Sequence, residues 1–140
     1  MQKVPEKPRL LYLILCEAYT ADATGKRSLI GTFDRIWARR LPYVFHRFNI
    51  VTGWEGLDGD YVMKIEIQDR EGKQVFTSPP IGLRFKSPLY REDAIIEIVS
   101  LKFETAGIHQ VKVSLGEDCI LTYPVLVEEV PDNKAEEVKA

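Results

Sequence analysis

Tyr61-Val62-Met63-Lys64-Ile65-Glu66-Ile67-Gln68, then Asp69-Arg70-Glu71-Gly72-Lys73, then Gln74-Val75-Phe76-Thr77, is the stretch on which the fold reading turns. Tyr61, Met63, Ile65 and Ile67 fall on one side of an extended chain, and Lys64, Glu66 and Gln68 on the other. A period of two is that of a half-buried strand. The acidic loop supplies glycine where a tight turn needs positive φ, so residues 61–77 are expected to form an antiparallel hairpin. The same logic recurs near the end of the chain. Val111, Val113 and Leu115 alternate with Gln110, Lys112 and Ser114, Gly116-Glu117-Asp118 turns, and residues 120–127 return.

Outward from these hairpins the chain keeps an extended character. Leu10 to Glu17 is an apolar run suited to a strand buried on both faces, and Asp22-Ala23-Thr24-Gly25-Lys26 supplies turn chemistry before Ser28 to Phe33. Trp37 to Leu41 is the least regular stretch and is stopped by Pro42. Tyr43 to Trp54 is β-branched and aromatic with apolar groups on both faces, which leaves its inward face open. Pro79-Pro80 pushes Ile81 to Phe85 toward an edge, and Ala94 to Leu101 reads as a further strand. Seven to nine short strands and no 3.6-period segment of ten residues predict an all-β fold: an immunoglobulin-like antiparallel β-sandwich, with a closed β-barrel as runner-up. One domain is expected over 10–128, after an N-terminal arm (1–9) and before a charged tail (129–140).

The chain has 140 residues, 45% hydrophobic and 29% charged, with a net charge of -2. That balance suits an ordinary globular domain and argues against a chain-wide electrostatic grip on nucleic acid or an anionic membrane. No stretch approaches the roughly 20 apolar residues of a membrane-spanning helix, so a cytoplasmic location is expected. Lys3, Lys7 and Arg9 before the apolar run and Cys16 imitate a lipoprotein signal. Pro5, Glu6 and Pro8 interrupt the basic part, however, and bulky Leu15 stands where a small residue belongs, so an anchor at Cys16 is the lesser alternative. Cys16 and Cys119 have no CxxC or Cys/His neighbours and read as two buried thiols.

Three stretches together resemble a family of uncharacterised bacterial β-sandwich proteins that carry only a domain-of-unknown-function label. They are Leu13 to Glu17 leading into Leu29 to Ile36, the Ile65 to Gly72 hairpin, and Phe103-Glu104-Thr105-Ala106-Gly107-Ile108-His109-Gln110-Val111. The likeness spans residues 10 to 128 and implies a fold without an activity. Its third stretch is similar to the Gly-x-Tyr corner of many immunoglobulin-like domains, with His109 in the tyrosine's place.

No motif carries catalysis. His46 and His109 are the available imidazole bases and neither lies in a recognisable nucleophile motif. No cysteine or histidine pair has metal-ligand spacing, so no metal or cofactor is expected. Glu55, Asp58 and Asp60 in a glycine-rich turn offer oxygen ligands, yet acidic turn residues ordinarily cap backbone amides. The densest set of binding residues is Arg35, Trp37, Arg39, Arg40 and Arg47, in and around the irregular stretch, because Trp and Arg are frequent interface anchors. Trp54, Tyr43, Tyr90 and Tyr123 are candidate platforms for a sugar. The expectation is therefore a non-catalytic interaction or structural module, with a protein partner or a second copy of itself and without nucleic acid. The alternatives are a small-ligand or carbohydrate binder and, last, a hydrolase.

Overall fold

The computed structural model describes residues 7–56, 59–85 and 91–130, which form ten β-strands and no helix. In chain order these are β1 (Arg9–Ala21), β2 (Arg27–Phe33), β3 (Arg35–Ala38), β4 (Tyr43–Glu55), β5 (Gly59–Gln68), β6 (Gln74–Thr77), β7 (Ile81–Phe85), β8 (Arg91–Phe103), β9 (Gly107–Leu115) and β10 (Asp118–Glu129). They make a four-stranded sheet ordered β2-β1-β4-β8 and a six-stranded sheet ordered β3-β10-β9-β5-β6, with β7 also on β5. The sheets pack as a sandwich, and neither closes into a barrel. Most of the expected arm and tail, residues 1–6 and 131–140, lies outside the described residues.

The two hairpins read from alternation are present as β5–β6 and β9–β10. Their core-facing residues Met63, Ile65, Ile67, Val111, Val113 and Leu115 are buried. The turn chemistry is repeated. Asp22 Oδ1 accepts from the Thr24 and Lys26 amides and the Thr24 hydroxyl, and Asp69 Oδ1 accepts from the Glu71 and Lys73 amides. Gly25 and Gly72 take φ of 85° and 86° to close the two turns. The Thr24 hydroxyl first, then the Lys26 amide, holds the Asp22 carboxyl below its usual value.

Pro79 and Pro80 have no amide hydrogens to offer β5, and the fold compensates locally. Ser78 Oγ accepts the Ile65 amide at 2.9 Å while the Ser78 amide donates back to the Ile65 carbonyl at 2.8 Å. The chain then re-pairs with β5 as β7, at the sheet edge where the prolines were expected to send it.

Four expectations need correction. The described residues form ten strands rather than seven to nine, and they are not all short: β1, β4 and β8 have 13 residues each and β10 has 12. Pairing is not wholly antiparallel, because β3 runs parallel to β10. The irregular stretch expected from Trp37 begins two residues later: Arg35–Ala38 is a strand, and residues 39–42 form a turn with a cis Leu41–Pro42 bond. Cys119 is exposed rather than buried, and both thiols are free.

The open question of which face of β4 points inward has a physical answer. Phe48, Ile50 and Trp54 are core residues on even positions of β4, and Ala94, Ile96 and Ile98 on even positions of β8, but beyond the His46/Ser100 pair Phe45, Leu101 and Phe103 take over on odd ones. Ser100 has φ of 55°, and the two strands change faces together there without losing register. Within the core the Trp54 indole donates to Thr52 Oγ1, which donates to the Ala94 carbonyl, both at 2.9 Å, so this buried polar group is satisfied.

Candidate functional site

Strand β3 is the outermost strand of the six-stranded sheet and displays every second side chain. Ile36 and Ala38 face the core, so Arg35 and Trp37 face outward. Trp37 is 39% exposed, and the Arg35 guanidinium carbon stands 5.2 Å from its ring centroid. A cation over an indole contributes about 0.5–1 kcal/mol at such an exposed site. Arg35 also approaches Glu128 of β10 at 3.9 Å, where both side chains are about half exposed and the ion pair adds little. Beside them, Leu126 of β10 is flanked by Arg35 on β3 and Ile108 on β9, and Ile108 is 49% exposed.

Arg39 and Arg40 lie in the turn after β3, both exposed, and make no ion pair among the described residues. The turn is tied down by the Leu41 amide, which donates to Glu129 Oε2 at 3.0 Å. Four of the five residues singled out from sequence therefore form one displayed corner. The fifth does not join them. Arg47 projects from the outer face of the other sheet, 3.8 Å from Glu97. Its separation follows from the sandwich: core-facing Phe48 fixes Arg47 outward on β4, and β4 and β3 belong to different layers.

The remaining candidates disperse. His46 is exposed on β4. His109 is 1% exposed, edge-on to Phe103 at 5.4 Å, with Nδ1 3.1 Å from the Gly107 carbonyl and no partner at Nε2 among the described residues. It is held at the start of β9 by this short contact with its own backbone. Trp54 is core and cannot be a sugar platform, Tyr43 packs against Phe45, and Tyr90 lies outside the described residues. Burial first, and then the Glu17 carboxylate, push the Tyr43 phenol above its usual range. In the acidic turn Glu55 pairs with Arg9 at 2.5 Å and Asp60 with Arg84 at 3.5 Å, while Asp58 lies outside the described residues. No group of metal-ligating side chains comes together among the described residues.

Sequence reading missed a second cluster, on the outer face of the four-stranded sheet. The Tyr12 hydroxyl donates to Asp93 Oδ1 at 2.9 Å, and Arg27 pairs with the other oxygen of Asp93. Tyr12, Arg27 and Asp93 are far apart in the chain and meet only through strand pairing, so no local pattern announces them. Along the side where the two sheets part, Leu10, Leu11, Leu13, Ile120 and Leu121 line an apolar groove of about 620 Å³, which Lys7, paired with Asp118 at 3.0 Å, also borders.

Fold and surface define a two-sheet β-sandwich module with a displayed Trp-Arg corner. Residues 11–128 match the model of a family of unknown function, DUF6941, and the chain belongs to that family. No curated protein matches the chain in sequence. Among solved structures it is similar to a β-glucosidase from Listeria innocua in complex with glucose, with a TM-score of 0.53 and 11% identity over 89% of this chain. It is also similar to the alkylpurine DNA glycosylase AlkC of Pseudomonas fluorescens bound to DNA containing an abasic site analog, with a TM-score of 0.53 and 12% identity over 86% of this chain. This chain spans 16% of the first protein's length and 30% of the second's, and at these identities the likeness is one of fold alone. No helix among the described residues is long and apolar enough to cross a membrane.

Proposed function

We propose that this chain is a non-catalytic interaction module that docks an acidic surface of another protein on the β3 corner. Trp37 carries the reading. It stands 39% exposed on an outermost strand, with Arg35 stacked over it. A merely solvated surface has no need of an indole there, and Trp and Arg are the side chains that most often anchor interfaces. Arg39 and Arg40 make no ion pair among the described residues, so two guanidinium groups are available to a carboxylate-rich partner.

Two features favour a different protein over strand-to-strand pairing with a second copy. The Leu126 amide points away from β9 to the Asp34 carbonyl, so the nitrogen of Pro124, two residues earlier, points to the same outer edge and offers it no donor. Strand β1 has a register shift at Leu11 where its own outer edge is open. Both devices discourage edge-to-edge addition. The immunoglobulin-like reading is supported by the order β1-β4-β8 over β10-β9-β5, which parallels A-B-E over G-F-C. Residence in a reducing cytoplasm fits the two free thiols.

The test is a photoreactive residue placed at Ile108 of the full chain in its source cells. One discrete protein adduct is expected, lost in the triple variant Trp37→Ala, Arg39→Glu, Arg40→Glu while the melting temperature holds. Adducts that survive the triple variant, or that contain only a second copy of this chain, contradict the reading.

A further inference from the structure

The four-stranded sheet is roofed on its outer face by its own hairpin. Strand β1 pairs with β4 only from Arg9 to Cys16, and with β2 from Leu15 to Ala21, so beyond Cys16 the β1–β2 hairpin no longer pairs with β4. Yet Arg27, at the turn end of that hairpin, meets Asp93 of β8 at the far edge of the same sheet. The hairpin therefore arches back over the sheet, above a cavity of about 550 Å³.

Which side chains face this cavity follows from Trp54. Its indole belongs to the core, so its cross-strand partner Glu92 is directed to the same inner side. Alternation turns the rows on either hand outward: Gly53 with Asp93, and Glu55 with Arg91. In the first row the Tyr12 ring lies over Gly53, where a Cβ would collide with it, and its hydroxyl donates to Asp93 on the next strand at 2.9 Å. The ring is thus held across the sheet with one face on the glycine and the other turned toward the hairpin. Leu11, Tyr19 and Ile95 add apolar and aromatic wall.

The charges on this face do not cancel. Asp93 accepts from Tyr12 at one oxygen and meets Arg27 at the other, and Glu55 is paired with Arg9. Arg91 also lines the cavity, is exposed, and makes no ion pair among the described residues. An ammonium ligand would find both carboxylates engaged, whereas a carboxylate would meet a free guanidinium whose fork matches its two oxygens. A bare phosphate would leave the tyrosine face unused. The combination of a fixed ring face and one unmatched guanidinium selects a flat apolar body that carries one carboxylate, since aromatic rings stack with an offset on one another. The volume falls within the roughly 300–1,000 Å³ typical of small-molecule sites.

We propose that the cavity beneath the β1–β2 hairpin binds a small aromatic carboxylate, its ring stacked on Tyr12 and its carboxylate held by Arg91. This goes beyond the β3 corner and does not depend on it.

The full chain is titrated by ligand-observed NMR with benzoate and naphthoate, and with their uncharged amides, cyclohexanecarboxylate and inorganic phosphate for comparison. The aromatic acids are expected to bind, and the amides, the non-planar acid and phosphate to bind about tenfold more weakly or not at all. Arg91→Gln, an exposed change compatible with folding, should bring each acid down to the level of its amide. Arg39→Gln, on the other sheet's corner, should leave the series unchanged. No binding by either aromatic acid, equal binding by the amides, the non-planar acid or phosphate, or a preference for the acids that survives Arg91→Gln would overturn the proposal.

Discussion

The ring of Tyr12 on β1 lies over Gly53, its cross-strand neighbour on β4, where any side chain would collide with it. Beside this contact the Tyr12 hydroxyl donates to Asp93. Gly53→Ala must push the ring aside, and overpacking of this kind costs about 1–3 kcal/mol. Urea denaturation should show that loss, together with faster amide exchange in β2. A variant as stable as the parent would mean that the ring does not rest there.

The two cysteines should behave differently. Cys16 is wholly buried and burial raises its thiol above the ordinary value, with the Ala18 amide opposing weakly; Cys119 is exposed. One thiol should react with Ellman's reagent in the native protein and two after unfolding. Because the folded state favours the neutral Cys16 thiol, its contribution is complete below the unfolded pKa and is lost as pH rises through the folded one. Stability should therefore decline above about pH 8.5–9, and Cys16→Ala should remove that alkaline dependence. Rapid modification of both thiols in the native state would contradict the burial.

How much of this was legible in the sequence depends on the range of the interactions. Alternation at Tyr61–Ile67 and Gln110–Leu115, and the Asp-x-x-Gly-Lys turns, are encoded within a few residues, and both hairpins form where that local chemistry puts them. The parallel β3–β10 pairing joins residues about ninety apart and leaves no period to read. The face change at His46/Ser100 is likewise hidden, because it needs two distant strands to break step at the same point. At the candidate corner, Arg35, Trp37, Arg39 and Arg40 are near in sequence and stay near in space. Arg47 shared their sequence neighbourhood but was carried into the other layer by β4.

His109 packs edge-on to Phe103 with Nε2 unpartnered among the described residues. Replacing it by phenylalanine removes an orphaned polar atom and keeps the ring, so His109→Phe should change stability by less than about 1 kcal/mol, whereas His109→Ala, which leaves a cavity, should cost about 3 kcal/mol. Chemical denaturation of the two variants decides the matter, and a phenylalanine variant as damaged as the alanine one would show that the imidazole nitrogens hold the corner.

Pro124 withholds a backbone donor from the outer edge of β10. Pro124→Val restores it and extends a β-branched run, so multi-angle light scattering should detect larger assemblies in the variant at concentrations where the parent shows none. Identical profiles for the two proteins would remove the proline from any protective role.

A docking role for the β3 corner requires Trp37 to be displayed rather than tucked into the core. Equilibrium unfolding of Trp37→Ala beside Trp54→Ala, whose indole is 0% exposed, separates the two roles. Trp54→Ala should cost about 3–5 kcal/mol, as the loss of a fully buried indole does, and Trp37→Ala less than about 1 kcal/mol. Equal, large losses at both positions would make Trp37 a core residue and contradict the docking surface.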